Sequence, residues 1–311
     1  MRKVYALFFV LCIAFLYLNP ESVKLIKSIN FKGSASNNKI INIIFGKNQK
    51  LSIRPSSIAE LKDNTYCVTD QQNRMVVLFD INGRIKKKIR SFGKKRFISP
   101  VSCCRGELGS FFVSDSFYGE IIKFNSSFKF EKVLVSNNKR RNTGISYYSG
   151  KLFCTDTENH QIIIYNSFGN EILSFGLRGN RDGEFNFPTH LTVDEKYIYV
   201  NDALNFRIQI FDHKGNFIRK FGRNGINGGE FSKPKGIAVD RKNRIFVTDV
   251  IYDNVQVFDI NGRFLSYFGE TGNSPGKFWM PSGIIINSRE EIVIADKFNS
   301  RIQIFKVISE I

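Results

Sequence analysis

The residues of this 311-residue chain able to do chemistry are few: three histidines, five cysteines and a set of evenly spaced aspartates. His190 opens a short apolar run just after Pro188-Thr189, while His160 and His213 fall in polar turns and are expected to be solvated. A bound metal needs about three or more converging N, O or S ligands, and one imidazole per stretch does not supply them. Cys12 lies in an apolar run, Cys67 and Cys154 sit in short apolar strands, and Cys103 and Cys104 are adjacent. None has C-x-x-C spacing, so they read as buried filler, with a bridge from Cys67 to Cys103 or Cys104 open to an exported domain. No G-x-S-x-G, no H-E-x-x-H and no phosphate-cradling Gly loop ahead of a helix is present. The expectation is a protein that is not an enzyme and holds no cofactor or metal.

The aspartates explain the framework. Asp70, Asp115, Asp156, Asp202, Asp249 and Asp296 are separated by 45, 41, 46, 47 and 47 residues, and each closes a short apolar strand. A carboxylate there can accept backbone N–H bonds from the following turn; six copies suit a fold requirement, whereas catalysis would need one. Residues 187–222 show the whole unit: four runs rich in β-branched and aromatic residues, bounded by Asp, Asn, Gly or Pro. A lone four-stranded meander has two open edges and nothing to cover its faces. Repetition at a period in the forties solves this by radial packing. The fold class expected is all-β, a six-bladed β-propeller of four-stranded antiparallel blades.

Asn-Gly turns at 82–83 and 261–262 mark hairpins, and Gly-rich loops such as 222–234 join one blade to the next. The last repeat stops after its third strand, near 301–307, while residues 40–45 (IINIIF) look like an outer strand without a blade. Residues 40–45 are therefore expected to complete the sixth blade, closing the ring with an N-terminal strand. The division expected is 1–18 as signal peptide or signal anchor, 19–38 as tether and 39–311 as propeller. Residues 4–18 form fifteen apolar residues behind Arg2-Lys3, an apolar helix suited to an export signal.

The recurring P-x-G-I-A-V-D, I-F-V-T-D, N-x-R-I-Q-I-F and G-x-F…F-G segments resemble the NHL-repeat six-bladed propellers over about residues 40–307, with Asn-x-Arg-Ile-Gln-Ile-Phe intact at 205–211 and 299–305. The resemblance extends to propeller enzymes that use a metal in the central channel, and to cytoplasmic animal members that bind RNA. In the frame of that repeat, His190 sits at the channel mouth, where the other blades carry Ser57, Ser102, Gly144, Gly236 and Gly283.

The chain carries 46 Lys and Arg against 28 Asp and Glu, a formal charge of +18. Lys94, Lys95, Arg96, Lys139, Arg140, Arg141, Arg178, Arg181 and Arg223 fall in or beside the blade-to-blade loops, which share one face. A basic face of this kind suits a protein or an acidic polymer, such as polysaccharide or phospholipid headgroups. With the propeller exported, secreted or held to a membrane through residues 4–18, nucleic acid is out of reach. The expected function is thus a non-enzymatic binding or scaffold module. The alternatives are a metal-dependent lyase or lactonase-type enzyme with its site near His190, and an RNA-binding module if the chain is cytoplasmic.

Overall fold

The computed structural model describes residues 23–31 and 53–308. Six four-stranded antiparallel sheets stand around one axis; five follow the sequence order innermost to outermost, and the sixth takes its outermost strand from Val23–Asn30. The innermost strands are Ser57–Glu60, Pro100–Arg105, Asn142–Tyr148, Pro188–Val193, Pro234–Val239 and Pro281–Ile286. Second and third strands are buried on both faces, as blades packed between neighbours require; Tyr197–Asp202 and Arg207–Asp212 are typical. Outer strands alternate with solvent, as Phe217–Phe221 does.

Residues 40–45 do not complete the sixth blade. The strand paired with Arg301–Val307 is Val23–Asn30, with Val23 opposite Val307 and Asn30 opposite Arg301; residues 40–45 lie outside the described residues. The reason is packing. Val23 and Leu25 lean on Phe305 and its neighbours, while Ile29 and Phe31 join Phe79, Ile302 and Ile304 between blades six and one. Phe31 meets Phe79 edge-on at 4.9 Å. Gly83, at φ +81°, lets the adjacent hairpin close over this strand, since a Cβ there would lie 2.7 Å from Ile29 Cγ2. Part of the expected tether is thus a working strand, and the ring is sealed by its two ends.

The aspartates do what their spacing implied, and more. All six are fully buried. Asp70 accepts the Asn73 N–H at 2.9 Å and also the Arg54 N–H at 3.0 Å, so one carboxylate ties the turn after the second strand to the chain just ahead of the innermost one. Asp115, Asp156 and Asp249 repeat the double tie. In blades four and six an arginine completes the clamp. Arg301 Nε donates to Asp296 at 2.6 Å and its terminal nitrogens donate to the carbonyls of Asn273, Ser274 and Lys277. Arg207 does the same with Asp202 and the carbonyls of Asn180, Arg181 and Glu184.

Among the described residues, helix is limited to two three-residue 3-10 turns, Glu107–Gly109 and Ala203–Asn205. None is long and apolar enough to cross a membrane. The apolar helix expected over 1–18 lies outside the described residues and finds no support.

Candidate active site

The innermost strands enclose a channel, and it contains a cavity of about 820 Å³. Its walls mix apolar side chains, Ile58, Ile145, Leu191, Ile237 and Ile284 among them, with polar ones such as Glu60, Arg105 and Lys196, and it ends at the turn residues Asp194, Asp240 and Glu290. That mouth is on the face opposite the blade-to-blade loops. The other end is closed by the ring that holds Ser57, Ser102, Gly144, His190, Gly236 and Gly283. The three glycines are there for proximity. A Cβ on Gly144 would sit 2.6 Å from the Thr189 carbonyl oxygen, one on Gly236 2.2 Å from that of Ser282, and one on Gly283 2.7 Å from Ser57 Cα. Neighbouring strands therefore touch backbone to backbone, and the ring is rigid.

The two serines satisfy each other and the ring. Their Oγ atoms are 3.4 Å apart; Ser57 Oγ accepts the Cys103 N–H at 3.3 Å, and Ser102 Oγ accepts the Ile145 N–H at 3.4 Å. One hydroxyl donates to the other, which leaves the second hydroxyl proton for a ligand. His190 has no such arrangement. It is 9% exposed, and neither Nδ1 nor Nε2 has a hydrogen-bond partner. A buried polar group normally finds one. Burial first, and then the charge of Lys235, push its pKa down to about 3, so the ring is neutral.

The structure brings Ser57, Ser102 and His190 to one level. It does not gather metal donors. Among the described residues no three His, Cys, Asp or Glu side chains are placed to hold an ion, and the positions around His190 are serines and glycines. A channel metal does not fit this donor set. Of the other two histidines, His160 is buried and His213 half-buried, each with a partner. His160 is buried against Phe187 and accepts its N–H at 3.1 Å; His213 packs on Tyr148 and Phe153, with Nε2 3.0 Å from the Asp194 carbonyl. Cys67, Cys103, Cys104 and Cys154 are free thiols. Burial pushes those of Cys67, Cys104 and Cys154 up, so they stay protonated.

The basic loop residues lie away from the cavity, and many have partners. Lys95 pairs with Glu120 at 2.6 Å and covers the Tyr118 ring, Arg140 pairs with Glu171 at 2.8 Å, Arg141 with Glu158 at 3.5 Å, and Arg223 with Glu230 at 2.7 Å. Lys94, Arg96, Lys139, Arg178 and Arg181 are exposed. Sequence reasoning missed Glu120 and Glu171 as partners on this face, since they come from strands rather than loops.

A family model described as a 6-bladed beta-propeller (DUF5128) matches residues 191–245 and 241–309. That is less than half of the chain. No curated protein matches it. Solved structures share the fold over nearly the whole length. Virginiamycin B lyase from Staphylococcus aureus, solved as a catalytically inactive histidine-to-alanine variant with quinupristin, aligns at TM-score 0.61 and 13% identity, covering 92% of this chain and 100% of that one. A gluconolactonase from Xanthomonas campestris aligns at 0.64 and 12%, covering 92% and 99%. An auxiliary nutrient binding protein from Bacteroides thetaiotaomicron aligns at 0.66 and 13%, covering 90% and 76%. Identities this low speak to fold. They nevertheless correct two expectations, that the chain is no enzyme and that it is a scaffold presenting its basic loops. Enzymes of the lyase and lactonase kind stand among the structures most like it, and the unpartnered imidazole lies in the channel, not on the loops.

Proposed function

We propose that this protein is an enzyme of the lyase or lactonase kind, with the central channel as its active site and His190 as the group that moves a proton. The observation that carries this is a buried imidazole, free at both nitrogens, at the closed end of a roomy cavity. A neutral ring can accept a proton on one nitrogen and donate from the other. With no carboxylate to orient it, and Lys235 disfavouring the imidazolium, it takes a proton readily only when negative charge develops beside it. Proton transfer is thereby coupled to a substrate that becomes anionic in the transition state.

In the eliminative form His190 removes a proton from the carbon next to a substrate carbonyl. That C–H electron pair becomes the new C=C bond as the C–O bond to the leaving oxygen breaks, and the imidazolium returns the proton to that oxygen. In the hydrolytic form the proton comes from water, whose oxygen adds to the ester carbonyl, and the same proton passes to the departing alkoxide. The spare serine hydroxyl at Ser57 or Ser102 is placed to hold a substrate oxygen. The Arg207 and Arg301 clamps give the N-x-R-I-Q-I-F segments a structural purpose and support kinship with NHL repeats.

The test uses gluconolactone and quinupristin as probes with the full-length chain. Replacing His190 with serine, the residue of blades one and two, should lower kcat/KM on the accepted probe by about 100-fold or more. Absence of turnover on both probes, or turnover that survives His190→Ser, would refute the reading.

A further inference from the structure

Beyond the ring that closes the channel, its outer mouth on the blade-to-blade face has a chemistry of its own. Arg54 and Lys233 lie just ahead of the innermost strands of blades one and five, Lys235 lies at the start of the latter, and Lys297 follows Asp296 in blade six. Blades five, six and one are consecutive around the ring. The Arg54 guanidinium is 4.7 Å from the Phe298 ring centre and the Lys297 ammonium 5.8 Å from the same centre. Arg54, Lys235 and Lys297 are half-buried and Lys233 is exposed. No side-chain ion pair or hydrogen bond is formed by any of the four among the described residues.

The carboxylates nearby are committed. Asp70 is occupied by the Arg54 and Asn73 N–H groups, and Asp249 by those of Ser232, Lys233 and Ile251. Residues 32–52, which lead into Ile53, contain Lys32, Lys39, Lys47 and Lys50 and no Asp or Glu. Like charges held together without counter-ions are unfavourable, and here the backbone of three blades holds them. Lys235 shows the strain: burial, then Lys297, then Lys233 lower its pKa to about 7. Lys297 is lowered by burial and by Arg54 and Lys233, with Asp70 opposing. On its inner side Lys235 faces neutral His190.

We propose that this mouth binds a compact oxyanion carrying two or more negative charges, a phosphate or a small di- or tricarboxylate, held by Arg54, Lys233, Lys235 and Lys297. The site is separate from the cavity chemistry and stands whether or not His190 is catalytic. Binding supplies the missing counter-charge, so Lys235 should take up a proton as the anion enters.

Calorimetry on the full-length chain with citrate and with inorganic phosphate tests this. One-to-one binding is expected, with an enthalpy at pH 8 that changes with buffer ionisation heat because a proton is taken up. Lys297→Ala should weaken it about 10-fold. Lys235→Met, which removes a half-buried charge and should fold, is expected to weaken binding likewise and to abolish the buffer dependence. Lys88→Ala, on an exposed outer strand, should change nothing. Preference for citrate would assign a carboxylate ligand, and preference for phosphate a phosphate ligand. Weak binding of both anions that is insensitive to Lys235→Met and Lys297→Ala would overturn the proposal.

Discussion

His190 makes a prediction that needs no substrate. In the unfolded chain its pKa returns to the ordinary 6.5, whereas in the folded protein it is about 3. Below the unfolded value the unfolded chain binds more protons than the native one, so stability falls as pH falls from about 7 towards 3. At pH 8 this group contributes no loss; by pH 5 the loss is about 2 kcal/mol. That figure is set almost wholly by the unfolded value. His190→Ser removes the titration while leaving every other group in place. Urea unfolding of both proteins at pH 8 and pH 5 should then show the wild type losing about 2 kcal/mol more than the variant, a differential midpoint shift of ~0.5–1 M. Any constant cost of the substitution cancels in the comparison. A differential below about 0.5 kcal/mol would mean that the native imidazole is solvated or paired, and the case for a poised proton carrier would go with it.

Other consequences are as direct. Ile29→Ala should destabilise the protein by about 2–4 kcal/mol, measured by urea unfolding, because its side chain seals blades six and one; a cost near zero would mean that this strand does not close the ring. Arg301→Leu strands the buried Asp296 carboxylate and three loop carbonyls, and should cost about 3–5 kcal/mol. The same change at the exposed Arg263, whose partner Asp259 is four residues away, should cost less than about 0.5 kcal/mol. The basic head and apolar run at 1–18 are expected to carry the propeller out of the cytoplasm; fractionation that finds the full-length chain in the cytosol would reverse this.

Much of the fold was legible because it is periodic. Six aspartates at nearly constant steps gave the blade count, and aligning the repeats singled out His190 among serines and glycines before any geometry was known. The closing strand was not legible. Val23–Asn30 mixes Lys24, Lys27, Ser28 and Asn30 among its apolar residues and is bulged between Leu25 and Lys27, so its sequence lacks a clean strand period and resembles a tether. Residues 40–45 carry the more hydrophobic pattern and drew the assignment instead. The environments of His160 and His213 were hidden because their partners, Phe187 and the Tyr148–Phe153 pair, come from neighbouring blades. The pairing of Lys95 and Arg140 was hidden because local charge runs show cations, while the answering Glu120 and Glu171 arrive through the sheets.

The ring of near-identical blades has a further meaning for whatever enters it. A tube with sixfold repetition offers a guest six equivalent ways to lie, and so no preference among them. One imidazole in one blade, with small residues at the other five places, removes that degeneracy. A guest has a single compass bearing, fixed by a side chain and not by the scaffold. Moving the histidine to the matching place in another blade, at Ser57 or Ser102, should swing the guest around the axis by the angle between those blades while leaving the barrel of walls unchanged.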